Sequence, residues 1–478
     1  MAESNGGAPA GRFTTGSTMR HVAVMTLTGS LGLSFMFLID FATLFYVSLL
    51  GNETLTAGVG FAWAVQFFTI SAGIGLSIAA LALVSRALGA RQIDQARRMA
   101  TASICITVVL LVTIAVAVLI FRRDILNLID ATGPSGDIAD RFLLISVPSL
   151  PFVGLGMITS TVLRATGDAK RSMYVTMIGG LAAMVLDPLL IFAMELGVDG
   201  AAYAIVLSRI ISSSCGLYFC IKIHNLLAPP SLKDIADFAR PYAAIALPGI
   251  ATQLSTPFGN FLLTRAIADY GDSAVAGWAV TSRLTVLAFG GIFALSGAIG
   301  GIIGQNYGAK LGDRVGQAYR DSMIFAVGSV VVMWALLIIA APYIVYGFGA
   351  TGEGADVMLA FCYIGAGGFM FNGLLFVANA AFNNLNHPLW STGFNWTRDA
   401  IAIPLLLVVI GTSFAAPGIV YVQTIAAVLV GSVAVVFGWR LANSITFDSK
   451  PAGWKPVPGG PTSARAATAI LQNEERRD

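Results

Sequence analysis

The chain has 478 residues, of which 56% are hydrophobic and 11% charged, and its net charge is +3. A soluble domain carries roughly 25% charged residues, so this chain cannot cover a water-facing surface, and so slight a positive excess offers nothing to nucleic acid. Runs longer than the roughly 18 apolar residues that mark a spanning helix recur throughout, which makes it an all-α polytopic membrane protein.

Residues 1–21 are polar and read as a flexible cytoplasmic N-terminus. The apolar run after Arg20 is too long for a signal-peptide core and lacks a small-residue cleavage site, so it stays attached as the first helix. Apolar runs between polar breaks predict twelve spans, at 22–48, 57–84, 98–121, 139–163, 172–195, 200–222, 241–268, 274–304, 319–347, 357–383, 389–411 and 417–443. The loops between them alternate in charge. Those at 85–98, 164–171 and 305–320 hold Arg86, Arg91, Arg97, Arg98, Arg164, Lys170, Arg171, Lys310, Arg314 and Arg320. The others carry Glu53, Asp130, Asp137, Glu195, Asp199, Asp272, Glu353 and Asp356. By the positive-inside rule the basic loops and both termini are cytoplasmic, which suits a multi-pass plasma-membrane protein.

Paired prolines in LLAPPSLKDIADFARP place an inter-lobe cytoplasmic linker at 223–240, between a six-helix lobe at 22–222 and a second at 241–445. The Pro/Gly-rich, then charged, segment 446–478 reads as a flexible cytoplasmic tail. Cys105, Cys215, Cys220 and Cys362 fall inside apolar runs without CxxC or metal spacing, so neither disulfides nor a metal site is expected.

The lobes repeat. A shift of 219 residues lays LSIAALALVSRALGARQID on LSGAIGGIIGQNYGAKLGD, with Leu76/Leu295, Ser77/Ser296, Ala79/Ala298, Gly89/Gly308, Ala90/Ala309 and Asp94/Asp313 identical and Arg91/Lys310 alike in charge. Six spans is an even number, so both units enter the membrane in one orientation: a parallel repeat about an axis along the membrane normal. Gly297, Gly300, Gly301 and Gly304 form small-xxx-small spacings that let helices approach closely. No GxxxxGK[ST] nucleotide loop and no HExxH occurs, and His21, His224 and His387 lie near predicted helix ends.

Polar groups at depth are the functional signal. A carboxylate at the bilayer centre costs roughly 2.5–3.5 kcal/mol on insertion scales and usually faces a protein interior. Asp40 in span 1 and Asp187 in span 5 each lie about eight residues, or about 12 Å, before the outer end of an outward-running helix. Arg209 in span 6 reaches a similar depth and is a candidate modulator, or a structural partner, of the two acids. With a one-residue gap, Asp40-Phe41 falls on Asn260-Phe261, so the second unit has an amide where the first has an acid. Arg283 in span 8 and the adjacent Arg398 and Asp399 in span 11 are the other deep charges, the last two able to compensate each other.

With FLIDFATLFYVSLLG, GIGLSIAALALVSRALGARQIDQARR, LRATGDAKRSMYVTMIGGLAAMVLDPLLIF, GVDGAAYA, YGDSAVAGWAVTSRL, GQNYGAKLGDRVGQAYR and FNNLNHPLWST in order, the chain resembles the multidrug and toxic compound extrusion (MATE) family over roughly 20–445. The resemblance implies a two-lobed, twelve-helix efflux antiporter that exports organic, often cationic and amphipathic, compounds against inward protons or sodium. Its span-1 and span-5 acids match Asp40 and Asp187. Three positions depart from the family pattern. Ala183 replaces an asparagine one turn before the span-5 acid, Ile205 replaces a span-6 threonine, and Met25 replaces a span-1 proline, although Pro248 occupies the matching part of span 7. A sodium site prefers several oxygen ligands, and two are missing. Protonation needs only a desolvated carboxylate, so H+ is favoured over Na+ as the coupling ion.

The expected mechanism is alternating access around a cavity between lobes, with Trp63, Gln66, Asn260, Trp278, Arg283, Asn372, Arg398 and Asp399 as candidate lining groups. Partners are a small organic substrate and membrane lipids, with no cofactor and a monomer as the working unit. The alternatives are a flippase for a lipid-linked oligosaccharide, which would want a cavity dense in Arg and Lys, and a polytopic membrane enzyme, for which no paired catalytic groups are seen.

Overall fold

A computed structural model describes residues 11–51, 53–411, 413–445 and 447, apart from the side chains of Phe37, Asp40, Phe41, Leu44, Ser48 and Glu53. Apart from residue 447, the tail predicted from 446 onward lies outside the described residues. The first lobe comprises α1 (Thr18–Ser48), α2 (Glu53–Gly89), α3 (Ile93–Leu128), α4 (Gly133–Ala165), α5 (Ala169–Ala193) and α6 (Gly197–Ile223). The second comprises α7 (Leu232–Ala268), α8 (Asp272–Gly308), α9 (Gly312–Gly347), α10 (Gly352–Asn384), α11 (Pro388–Ile410) and α12 (Pro417–Asn443). Every predicted span falls on one of these twelve segments. No strand occurs among the described residues.

Two stretches depart from the predicted boundaries. α7 begins at Leu232, inside the expected linker, because Ser231 precedes it in an extended conformation and Asp234 sits in the first turn beside the amide dipoles. Residues 11–17, assigned to the flexible terminus, are docked. Arg12–Thr14 form a 3-10 turn between Gly11 and Gly16, both at positive φ, and bury Phe13. The Phe13 amide donates to Gln305 Oε1 (2.8 Å). Its carbonyl accepts from Asn306 (3.3 Å) and Arg314 (3.0 Å), both at the α8–α9 end. Arg12 donates to the Gly167 carbonyl (3.2 Å) and Thr18 to Asp321 on α9. This strap crosses both lobes at the end of the molecule that carries the basic connections.

The internal repeat is visible in conformation as well as in letters. Arg91 and Lys310 both adopt positive φ (60° and 59°), and each opens the same turn, Gln92 N–H to Ala87 carbonyl and Leu311 N–H to Asn306 carbonyl, both 2.9 Å. The helices meet reciprocally: a Cβ on Gly89 would strike Gln305 backbone, and one on Gly308 would strike Arg86 backbone. Since 86 and 305, and 89 and 308, are repeat mates, residue i of one lobe touches residue j of the other and the reverse, as a two-fold axis requires. Gly304 lies on Ser85 and Gly300 on Leu81, and each of these pairs is a residue facing its own repeat mate. The pseudo-two-fold therefore runs between α2 and α8. In a bilayer the lipid tails are as apolar as the core, so such close small-residue packing, rather than water exclusion, holds the helices together.

The basic end is the sealed end. Arg86 reaches across from α2 to Asn386 (2.6 Å) and the Asn383 carbonyl (3.0 Å), Gln305 donates to the Ala165 carbonyl (2.6 Å), and Tyr242 on α7 donates to the Leu76 carbonyl (2.9 Å). Gly29 and Ala294, and Ser34 and Gly290, mark the seam between α1 and α8 in the same half.

Candidate functional site

Asp187 is fully buried. Its place on α5 is set by the proline that follows. Pro188 has no N–H, so a rung of the helical ladder is lost, and the chain passes into a π-helical turn at Leu189–Ala193. Such turns concentrate at functional sites. One carboxylate oxygen, Oδ2, accepts a hydrogen bond from Thr43 Oγ1 on α1. The other, Oδ1, has no partner among the described residues. One turn earlier Ala183 presents a methyl group, and Ile205 belongs to an apolar cluster with Val47, Val65 and Ile191.

Arg209 is held elsewhere. Its guanidinium donates to Gln66 Oε1 (2.6 Å), Ser149 Oγ (2.8 Å) and the Ser146 carbonyl (3.2 Å), and Gln66 in turn donates to Ser146 Oγ (3.2 Å). Gln66, expected to line a cavity, is fully buried in this network. No ion pair joins Arg209 to Asp187 among the described residues. Asp40 lies on α1 three residues before Thr43; its side chain lies outside the described residues. Trp63 packs, half-buried, against the first-lobe cluster.

In the second lobe the deep acid is neutralised. Arg398 clasps Asp399 through two bonds, Nε to Oδ1 (2.7 Å) and an NH2 group to Oδ2 (2.9 Å), and donates to Asn372 Oδ1 (2.7 Å). Arg398 and Asp399 sit on the π-helical turn Thr397–Ala402, and Asn372 reaches them from α10. Asn260 and Arg283 are exposed, while Trp278 is buried in the second-lobe core with its indole N–H on Thr264 (3.2 Å). The structure thus brings Asp187 and α1 together, brings Arg398, Asp399 and Asn372 together, and keeps Gln66 and Trp278 in packing roles.

Two contributors went unread in the sequence. Thr43 is the hydroxyl on Asp187, and the i, i+3 spacing of Asp40 and Thr43 on one helical turn was the available signal. The other is an asparagine network in the second lobe, where Asn395 donates to Asn379 (3.1 Å) and Ser391 to Asn383 (3.2 Å); the run FNNLN was its only mark.

The MatE family model matches residues 30–189 and 248–408. The chain belongs to this family. It is 23% identical over 444 residues to the multidrug export protein MepA of Staphylococcus aureus, covering 90% of this chain and 95% of the relative. It is 27% identical over 327 residues to a FAD transporter of Shewanella oneidensis, covering 66% and 70% of the two chains. Among solved structures, a mutant of the Vibrio cholerae MATE transporter VcmN shares the fold with a TM-score of 0.84 at 21% identity, over 89% of this chain and 97% of that one. The fold is therefore the twelve-helix, two-lobed MATE architecture, and the chain is a multi-pass membrane transporter.

Proposed function

We propose that the chain is a proton-coupled antiporter that exports small, amphipathic organic compounds, often cationic, across the plasma membrane, with Asp187 and Asp40 as the coupling acids. The observation that carries the reading is Asp187 itself: a fully buried carboxylate bonded to one hydroxyl, with its other oxygen unpartnered and no cationic side chain paired with it among the described residues. Its neighbours Ala183 and Ile205 offer no oxygen. A sodium ion needs a cage of several oxygens at once; a proton needs a single lone pair. Asp187 Oδ1 has one free among the described residues.

Taking the basic end as cytoplasmic, with both termini there, the seal described above closes the pathway inward. The structure then corresponds to an outward-facing form, in which protons arriving from outside meet the acid layer of the first lobe while cargo leaves. The MepA likeness supports export of drugs and the Shewanella relative supports a broader organic cargo.

The test is dye efflux from proteoliposomes with an imposed proton or sodium gradient. Proton-driven export by wild type should persist when the sodium gradient is collapsed, and Asp187→Asn and Asp40→Asn should each lower it at least tenfold. Unchanged proton-driven export in both variants would sink the coupling assignment.

A further inference from the structure

Arg164 is the penultimate residue of α4, at the sealed, basic end. Arg86, Arg97, Arg122, Arg209, Arg314 and Arg398 each reach a carboxylate, amide or carbonyl oxygen. Arg164 does not. Among the described residues its one hydrogen bond goes to Thr161 Oγ1, a turn back on its own helix (2.8 Å). Its Nε is buried with no partner, and no carboxylate stands within 4 Å among the described residues. A guanidinium left so poorly matched is costly to desolvate.

The surroundings are built around it. Arg164 lines a cavity of about 40 Å³ between α1, α4 and α5, with Ser160, Ser172 and Thr176 as its polar groups and Met25, Leu33 and Met173 among its apolar ones. On the other side stands α8 of the second lobe, at Gly297, where a Cβ would come within 3.2 Å of the guanidinium. That glycine caps Arg164 only while the two lobes are closed at this end. Opening the basic end, the step by which cargo must load under the function proposed above, lifts α8 away and turns the N–H donors left over beyond the Thr161 bond toward the entering molecule. A planar guanidinium takes a pair of anionic oxygens bidentately.

We propose that Arg164 is an anion-recognition site at the loading end of the pathway, which takes a carboxylate or phosphate group, so that the transporter's preferred cargo carries such a group in addition to any cationic centre. Only that group need enter the cavity; the body of the cargo lies between the lobes. The inference rests on the export reading for its biology, but the binding chemistry can be measured without transport.

The experiment uses purified full-length protein and two matched dyes, rhodamine 110 with a free carboxylate and rhodamine 123, its methyl ester, with dissociation constants read by fluorescence anisotropy. Wild type should favour the acid over the ester about tenfold or more, Arg164→Gln should bring the ratio to about one, and Arg164→Lys should keep an intermediate preference. Monodispersity and melting temperature establish that each variant is folded, and Arg164→Lys carries the test if Arg164→Gln is not. Absence of an acid preference in wild type, or an unchanged ratio in folded Arg164→Gln, overturns the proposal. The measurement is repeated in nanodiscs of phosphatidylcholine alone and with phosphatidylglycerol. A ratio that responds to Arg164 only in the absence of anionic lipid means that a lipid headgroup is the natural occupant, and the cargo assignment fails. Gradient-driven export is scored separately: its absence would break the antiporter reading while leaving the dye ratios to decide this one.

Discussion

The two lobes share one backbone plan and handle buried charge in opposite ways. In the first, Asp187 is left with a hydroxyl and a spare oxygen; in the second, Asp399 is clasped by its neighbour Arg398. Their packing is inverted as well. Ile39 of α1 sits over Gly180 of α5, whereas in the second lobe Asp399 of α11 sits over Gly259 of α7, a Cβ there coming within 2.9 Å of its carboxylate. Residues 39 and 259, and 180 and 399, are repeat mates, so the large and small partners have changed sides. Duplication thus preserved a knob-and-hole contact while one lobe came to hold a clasped charge and the other a carboxylate bonded to a single hydroxyl among the described residues.

The largest way to break this comparison is to unlock the second lobe. Arg398→Met should leave Asp399 buried without compensation and cost about 3–5 kcal/mol, seen as a large fall in the melting temperature of the detergent-solubilised protein. Arg398→Met with Asp399→Leu should recover most of it. If the single and double variants melt alike, the clasp is not what neutralises the second lobe. The inverted packing is tested next. Gly180→Ala pushes a methyl into Ile39 and should cost about 1–3 kcal/mol, and adding Ile39→Ala should return most of that; the pair is independent of charge, so loss without rescue would argue against the knob-and-hole relation.

A smaller effect is expected at the basic end, where the lobes differ again. Asp168 accepts from Arg171 (2.5 Å) and His224 (2.8 Å), while at the positions related by the repeat to Asp168 and Arg171 the rings of His387 and Trp390 lie 4.7 Å apart, tilted by 34°. Partial burial opposes charge on Asp168, but the hydrogen bonds from His224 and Arg171 and the positive charge of Arg171 outweigh it and hold its carboxyl below the usual carboxylate range. An acid depressed in the folded state stabilises at every pH above its unfolded value of about 3.9 and loses that contribution only as pH falls further. Asp168→Asn should therefore lower stability by about 1–2 kcal/mol at neutral pH, and its deficit should shrink only below about pH 4. A deficit that already closes between pH 7 and 5 would show that these contacts do not hold Asp168 in its charged form.

Much of this frame was legible before any coordinates. Run length and loop charge located all twelve helices, because a spanning helix must be long and apolar whatever it packs against. The repeat read from residues 76–94 and 295–313 proved to be conformational down to the left-handed Arg91 and Lys310. Asp187 could be singled out because a buried acid is conspicuous in an apolar run. Partnerships were harder. Nothing in the letters separates Gln66, which is tied to Arg209, from a cavity-lining amide, since helix-facing direction within a fully apolar span has no periodic signal to read. Likewise residues 11–17 look like any polar terminus until the Gln305 amide that receives them, far along the chain, is in place.

That strap has a consequence for how the protein is made. Phe13 and its acceptor Gln305 are separated by 292 residues, and at about 5–20 residues per second the ribosome needs roughly 15–60 s to produce the second after the first. The opening segment therefore waits, undocked, while most of the chain enters the membrane. The strap can dock across the lobes only after Gln305 is made, so the first lobe must be inserted and held by its own contacts until then.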